Sequence, residues 1–498
     1  MREPMPSRQG VVTAAQERAA RAGARLLAAG GNAADAAAGT AAMLAVVDPA
    51  NCGIGGYGGF AVAHRPGGRP MQIGFNAAPA RAHQGALPRG RGTGALVTPP
   101  NVVAGLCALH REFGRLDARA VWQPAIDVAL EGFAVGKGLA AALRWAHANH
   151  RGLNGAFRAT FYANGEPLRE GMTLRQPALA RTLEGIADMG DTFFAGEPVF
   201  GSVIRAANAA GGVLTAADAD VLGARVTEAA AAEYEGAAVW SADPAQCGAS
   251  VLLASLRHLD GGALGERGKA CYVEQVRAAL VRAWQEREST YRRPSRATSQ
   301  TSHLCAVDDE GLMIAMTFTH GPLWFGSGLV TEETGIVLNS GAHLLVERTS
   351  DGRTVAQPHL APTILQHAGT RYALGSPGGT RIPAIVLQGI VDLVHYGTPV
   401  EALWDEPRLS ANADGSTEAE PELVQAFPAL SMRRLGRADF FGPASALGWT
   451  PDRSRAGLDH RFDDSCAAFA SGEMTRPLPP VARDQMADTL LRGGGSDR

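Results

Sequence analysis

The sequence predicts a mixed fold, α/β or α+β, on three observations. Strand-length apolar runs alternate with helical stretches along the chain. A β-hairpin is legible near residue 300, and a glycine loop lies between a strand and an apolar helix further on. In the hairpin, Ser299-Gln300-Thr301-Ser302-His303 leads into Leu304-Cys305-Ala306-Val307-Asp308. The chain turns at Asp309-Glu310-Gly311 and returns as Leu312 through Thr319. A hydroxyl-bearing threonine therefore stands at the start of the first strand.

Near the N-terminus, Thr13-Ala14-Ala15-Gln16 reads as a capping box for a helix through Leu27, closed by Gly30-Gly31. Asn32 caps a second helix with Asp35 in its first turn, and this helix stops before Asp48-Pro49. Its alanine-rich body predicts close packing on all sides. The run Gly53-Ile54-Gly55-Gly56-Tyr57-Gly58-Gly59-Phe60 then precedes a strand-like Ala61-Val62-Ala63. Gly53, Gly55 and Gly58 formally match G-x-G-x-x-G. A dinucleotide site needs strand, glycine turn and helix in that order, whereas here helix precedes and strand follows. The glycines predict close backbone passage instead. Downstream, Tyr372-Ala373-Leu374 reads as a strand and Thr380 to His395 as a helix. The intervening Gly375-Ser376-Pro377-Gly378-Gly379 would present free backbone N–H groups, as an oxyanion hole requires.

Composition narrows the class. At 498 residues the chain is long enough for two domains or one large unit, and 46% hydrophobic against 19% charged residues supplies an ample core. The net charge of −3, without a dense Lys/Arg stripe, argues against a nucleic-acid partner. Six scattered cysteines without C-x-x-C spacing suggest neither a zinc site nor a disulfide framework, but reduced buried thiols. The longest apolar-rich run, Ala33 to Val47, is short for a membrane span and interrupted by Asp35 and Thr40. The N-terminal Met1-Arg2-Glu3-Pro4 has no apolar segment. The expectation is a cytoplasmic protein with no membrane partner and no cofactor, its Gly493-Gly494-Gly495-Ser496 tail disordered.

The hairpin resembles the maturation site of the γ-glutamyltransferases, which are N-terminal-nucleophile (Ntn) hydrolases. Gly30-Gly31-Asn32-Ala33-Ala34-Asp35-Ala36 matches that family's G-G-N-A-x-D-A. The glycine run from Gly53 matches its G-I/L-G-G-G-G-F with Tyr57 inserted, and Gly375 through Ile382 matches G-S-P-G-G-S-R-I except at Thr380. The similarity spans nearly the whole chain and weakens beyond about Val400. The resemblance implies an α+β fold of the four-layer αββα type, two stacked antiparallel sheets between helical layers. It implies self-cleavage between Gln300 and Thr301 into a large piece, 1–300, and a small piece, 301–498, which pair in one αββα unit. Whether the pairs assemble further is left open.

The chemistry explains why a threonine stands there. Its hydroxyl needs a base to attack an amide, and a newly freed α-amino group, with a pKa of about 7.7–8.0, supplies one. The resemblance makes Thr301 the nucleophile, Thr319 its orienting partner from the adjacent strand, and Gly378 and Gly379 the oxyanion donors. Thr301 and Thr319 may equally be read as ordinary strand threonines, and the glycine loop as a plain turn. His303 reads as a residue holding the hairpin edge rather than half of a Ser/His pair.

Where the family grips a γ-glutamyl group, this chain differs. Phe75-Asn76 replaces the Arg-Glu of R-E-x-A-P, Pro358-His359 replaces the serine pair of S-S-M-x-P-T, and Gly341 and Leu344 fall where L-N-N-Q-M-D-D has Gln and Asp. Beyond Thr319, the segment containing Trp324 is one residue longer. Lost charge-assisted contacts of about 1.5–3 kcal/mol each would make glutathione a poor substrate unless another cation takes over. Phe75, Asn76, Trp324, His343, Leu344 and His359 are accordingly the candidate substrate-binding residues. They suit a neutral or aromatic acyl group, or a substrate holding its charge elsewhere. His343 and His359 lack a third spaced ligand for a metal. The leading expectation is a self-processing amidohydrolase or acyltransferase acting on a small-molecule amide, with water or an amine as acceptor. The alternatives are a true γ-glutamyl hydrolase with a rebuilt clamp, and a non-catalytic relative serving as binder or scaffold.

Overall fold

The structure, a computed structural model, describes residues 10–76, 78–83, 93–150, 152–292, 300–435, 442–462 and 465–476. Ser299, Ala77 and the glycine-rich tail lie outside the described residues.

Two antiparallel sheets form its centre. In chain order their strands are β1 (Val11–Ala14), β2 (Gly58–His64), β3 (Met71–Gly74), β4 (Arg225–Glu228), β5 (Ala230–Tyr234), β6 (Ala237–Ser241), β7 (Gln300–Val307) and β8 (Met313–Gly321). They continue as β9 (Thr363–His367), β10 (Thr370–Gly375), β11 (Ser445–Thr450), β12 (Arg453–Leu458), β13 (Cys466–Phe469) and β14 (Met474–Thr475). The eight-stranded sheet runs β14-β13-β1-β7-β8-β2-β3-β4 and the six-stranded sheet β12-β11-β10-β9-β6-β5.

Strand alternation explains the stacking. Cys305, Val307, Met313 and Ala315 of the β7–β8 hairpin face Ile364, Ala373 and Leu447 of the second sheet. Their neighbours Leu304, Ala306, Ile314, Met316 and Phe318 face outward, into a core built with helices α1 (Glu17–Ala28) and α2 (Ala33–Val47). On the far side, α4 (Ala249–Leu259), α5 (Ala270–Ser289) and α6 (Ile382–Val394) cover the second sheet; α3 (Lys137–Asn149) lies in the N-terminal helical region. The αββα expectation holds. Among the described residues, no helix is long and apolar enough to cross a membrane.

The second helix is as the sequence predicts. Asn32 Oδ1 accepts from the Ala34 and Asp35 amides, Asp35 Oδ2 accepts from the Asn32 amide, and every residue from Ala33 to Val47 is buried. The capping box at Thr13 is not formed. Thr13 belongs to β1, where its hydroxyl lies 3.0 Å from Ser445 Oγ of the opposite sheet and accepts from the Cys305 amide at 3.2 Å. Strand pairing on both sides of β1 won over a local cap, and α1 starts instead after Gln16, whose side chain makes no capping bond.

The glycine run behaves as a close-passage device. A Cβ on Gly55 would lie 2.1 Å from the Val337 carbonyl oxygen, and one on Gly59 2.4 Å from that of Thr317. No helix follows the run, so it forms no dinucleotide cradle. Because backbone, not a mobile side chain, blocks Gly55, Gly55→Ala is expected to lower stability by about 1–3 kcal/mol, read as a drop in Tm by calorimetry.

Candidate active site

The hairpin pairs regularly from Val307↔Met313 back to Ser302↔Phe318, then the register slips, and Gln300 pairs with Gly321. One residue, Thr301, therefore faces two, Thr319 and His320. A bulge of this kind re-aims side chains and interrupts pairing. It stands at the bond expected to break.

Thr319 uses its hydroxyl in a directed way. Its Oγ accepts from the Gly321 amide at 2.9 Å and donates to the Gln300 carbonyl oxygen. A hydroxyl has one proton to give; with a lone pair taken by Gly321, that proton is aimed at the Gln300 carbonyl. Thr319 is expected from the sequence to orient the amine or hydroxyl of Thr301, whereas in the structure its bond goes to the preceding carbonyl, that of Gln300.

The two nearby histidines are not poised as bases. His303 Nδ1 lies 2.8 Å from Thr317 Oγ and its Nε2 3.1 Å from Cys305 Sγ, and burial pushes its pKa down to about 3. Its ring occupies the space a side chain on Gly375 would need, so it seats the hairpin against the start of the glycine loop. Burial likewise pushes His320 down to about 3, with its ring against Gly53.

Thr301 is largely buried but reaches a cleft of about 470 Å³. Beside Thr301, six pieces of chain meet there: the Ala15–Gln16 segment before α1, the Asp48–Asn51 turn after α2, the N-terminal face of α3, Trp324, the glycine loop, and a C-terminal wall carrying Arg433 and Arg461. Gly378 faces the cleft at φ +133 and Gly379 follows at φ +62, both in the range that favours glycine. Among the described residues, neither amide donates to another group. Gly379 opens a short 3-10 turn ahead of α6, so the loop ends on an N-terminal turn as expected.

Trp324 lines the cleft, in edge contact with Trp145 at 5.4 Å, and its carbonyl lies 2.7 Å from His150 Nε2. The following Phe325 takes φ +58, a strained value for a bulky residue, and is held between the rings of Phe157 and Phe161. This anchor fixes the longer segment that the sequence singled out beyond Thr319.

The other candidate substrate residues do not line this cleft. Phe75 is buried with its ring against Gly105, Asn76 donates to the Ala356 carbonyl at 3.1 Å, and Leu344 packs on Tyr57. His359 is buried with its ring 5.5 Å from Trp284, and His343 is exposed elsewhere. Asn76, Leu344 and His359 meet instead around residues 356–359: Asn76 donates to the Ala356 carbonyl, and the Gln357 amide donates to the Leu344 carbonyl at 2.9 Å, two residues before His359. Among the described residues, no His/Cys/Asp/Glu group is arranged to hold a metal, and all six cysteines are free thiols. Sequence reasoning missed Lys137, Arg381, Arg433 and the Asp48–Asn51 turn. Arg381 lies inside the matched glycine motif, which was a usable signal; the others carry no local pattern.

The family model described as gamma-glutamyltranspeptidase matches residues 19–291 and 268–469. The chain belongs to this family. It is 28% identical to the Escherichia coli glutathione hydrolase proenzyme, over 81% of each chain. It is 25% identical to the acylase ACY 1 proenzyme of a Pseudomonas species, over 95% of this chain and 96% of that one. Among solved structures, the cephalosporin acylase from Bacillus halodurans superposes with a TM-score of 0.79 at 23% identity, covering 94% of this chain and 98% of that chain. At that identity the likeness establishes the shared Ntn-hydrolase fold. As a gamma-glutamyltranspeptidase family member the chain is an enzyme of the acyl-transferring hydrolase class.

Removing the Thr319 donor with Thr319→Ala is expected to slow conversion of the full chain to its two pieces by about 10²-fold, with Thr319→Ser restoring most of the rate. A denaturing-gel time course reads both.

Proposed function

We propose that this protein matures by cutting itself between Gln300 and Thr301, into pieces 1–300 and 301–498, and then works as a threonine amidohydrolase or acyltransferase. The observation that carries this reading is the bulge itself: Thr301 at the start of β7, with the preceding carbonyl polarised by Thr319 and the cleft wall at Gly378. In maturation Thr301 Oγ adds to the Gln300 carbonyl carbon. Collapse breaks the C–N bond, the Thr301 nitrogen takes the hydroxyl proton, and water hydrolyses the resulting ester to leave Gln300 as a carboxylate.

In turnover the freed amine accepts the Thr301 hydroxyl proton as Oγ attacks the substrate amide. The tetrahedral oxyanion is stabilised by the Gly378 and Gly379 N–H groups. The amine then returns the proton to the departing nitrogen, leaving an acyl-Thr301 ester. Water, or an amine acceptor, attacks that ester with the same group as base, and the acyl group leaves on the acceptor.

The acyl group is proposed not to be an ordinary γ-glutamyl group. The positions where the family's clamp would stand are occupied by Phe75, Pro358, His359, Gly341 and Leu344, and none of them lines the cleft around Thr301. The named glutathione hydrolase relative keeps the γ-glutamyl alternative open to test. Comparing γ-glutamyl p-nitroanilide with simple acyl p-nitroanilides separates the two, and faster γ-glutamyl turnover would reject the clamp argument. Thr301→Ala is expected to leave a single uncut chain with no activity, and intact-mass measurement of the active protein to find a small piece beginning Thr-Ser-His. One uncut active chain sinks the mechanism.

The pH dependence carries its own sign. Protonation removes the terminal amine as a base, so kcat/KM should fall about tenfold per pH unit below its pKa of about 7.7–8.0. His303, already neutral above about 3, contributes no step in that window. A pH–rate profile of the matured enzyme checks both.

A further inference from the structure

Antiparallel pairing brings the start of β7, the end of β8 and the start of β2 to one end of the eight-stranded sheet. The cleft opens on the β1 side of that end, where Ala15, Gln16 and Ser465 line it. On the β2 side, nothing from Gly53 to Phe60 lines it. The residue standing there is Tyr57, which interrupts the glycine run one position before β2.

Tyr57 is fully buried, and its ring packs on Leu344. A Cβ on Gly341 would lie 2.7 Å from the Tyr57 Cβ, so the tyrosine leaves room at position 341 for glycine alone. The preceding Ser340 donates its amide to the His320 carbonyl at 2.7 Å, and its Oγ would lie 2.6 Å from a Cβ on Gly321. Gly321 in turn pairs with Gln300. A line of contacts therefore runs from Gln300 through Gly321, Ser340 and Gly341 to Tyr57. Among the described residues, the Tyr57 hydroxyl has no hydrogen-bond partner. A buried hydroxyl without a partner is a cost to folding, so what this position uses is the bulk of the ring.

The direction of that line bears on the substrate. In the Gln300–Thr301 peptide Gln300 is the acyl side, and its backbone runs along Gly321. A substrate whose carbonyl carbon takes the place of the Gln300 carbon sends its acyl arm the same way, toward Ser340 and Tyr57. Its amine arm is left with the open cleft of about 470 Å³. We propose that Tyr57 is a specificity-determining residue whose ring closes the acyl side behind Ser340. The acyl arm is then compact, of acetyl size, and the amine arm is the larger of the two. The proposal rests on the acyl-threonine reading above and adds the substrate class to it. A close-packed interior cannot yield a ring's volume to a longer chain without repacking.

The test measures kcat/KM of the matured enzyme for acetyl p-nitroanilide and hexanoyl p-nitroanilide, which share one amine arm. The wild type is expected to favour acetyl about tenfold or more. Tyr57→Ala should shrink that preference about tenfold by admitting the longer chain. Leu344→Ala, which removes the ring's support, should shrink it severalfold, and Tyr57→Phe should leave the ratio where it is. Each variant is compared as fully cut protein on a denaturing gel, and Leu344→Ala carries the test where Tyr57→Ala does not mature. Equal wild-type rates for the two anilides, with an acyl adduct on Thr301 by mass spectrometry, overturn the closed acyl side alone. An acetyl preference untouched by Tyr57→Ala, or by Leu344→Ala in its place, overturns the assignment to Tyr57. A ratio moved as far by Tyr57→Phe as by the alanine variants overturns the role of the ring. Absence of any Thr301 adduct with either anilide overturns the acyl-threonine reading as well.

Discussion

The structure turns on one mismatch in pairing, where Thr301 on one strand faces Thr319 and His320 on the other. Everywhere else along the hairpin, each residue is committed to a cross-strand partner and a face. At the bulge those commitments lapse at Thr301, and the carbonyl before it accepts a hydrogen bond from the Thr319 side chain. A fully paired strand would bury the Gln300–Thr301 peptide in the sheet, away from the cleft. A frayed end would leave it without a donor on its carbonyl. The bulge avoids both, which is why this peptide can face the cleft from the margin of a rigid sheet.

That rigidity comes from the four layers. The hairpin is buried on both faces, one against α1 and α2 and the other against the second sheet. The tight contact of His303 with Gly375 then ties the strand of Thr301 to the loop that carries Gly378 and Gly379. These parts come from residues 72 positions apart in the chain, held at fixed separation by ring-to-backbone packing that tolerates no side chain on the loop glycine. The depressed pKa of His303 is a consequence of the same packing, and it makes the residue a spacer rather than a base.

Around this fixed centre the cleft walls are drawn from elements with no sequence proximity. Among the described residues, the C-terminal wall pairs Arg461 with Glu420 and Asp459 and leaves Arg381 and Arg433 sharing Glu418, while Lys137 of α3 has no ion-pair partner.

Local patterns were enough to determine the hairpin, the Asn32-capped helix, the glycine run and the glycine loop, because each is dictated by nearest-neighbour chemistry: alternation, a cap, the absence of a Cβ. Spacing also put Thr301 and Thr319 on adjacent strands. It could not supply the bulge, since a one-residue slip is decided by what packs on both faces, nor the role of Thr13, whose partners Cys305 and Ser445 are hundreds of residues away. The substrate wall was the least legible part. Phe75, Asn76, Leu344 and His359 look like pocket residues in the aligned motifs, yet burial draws them into the interior, while His343 ends on the surface. Lys137, Arg381 and Arg433 converge only when α3, the glycine loop and the C-terminal strands meet, because charge balance in a cleft is a property of three-dimensional neighbours and has no period along the chain.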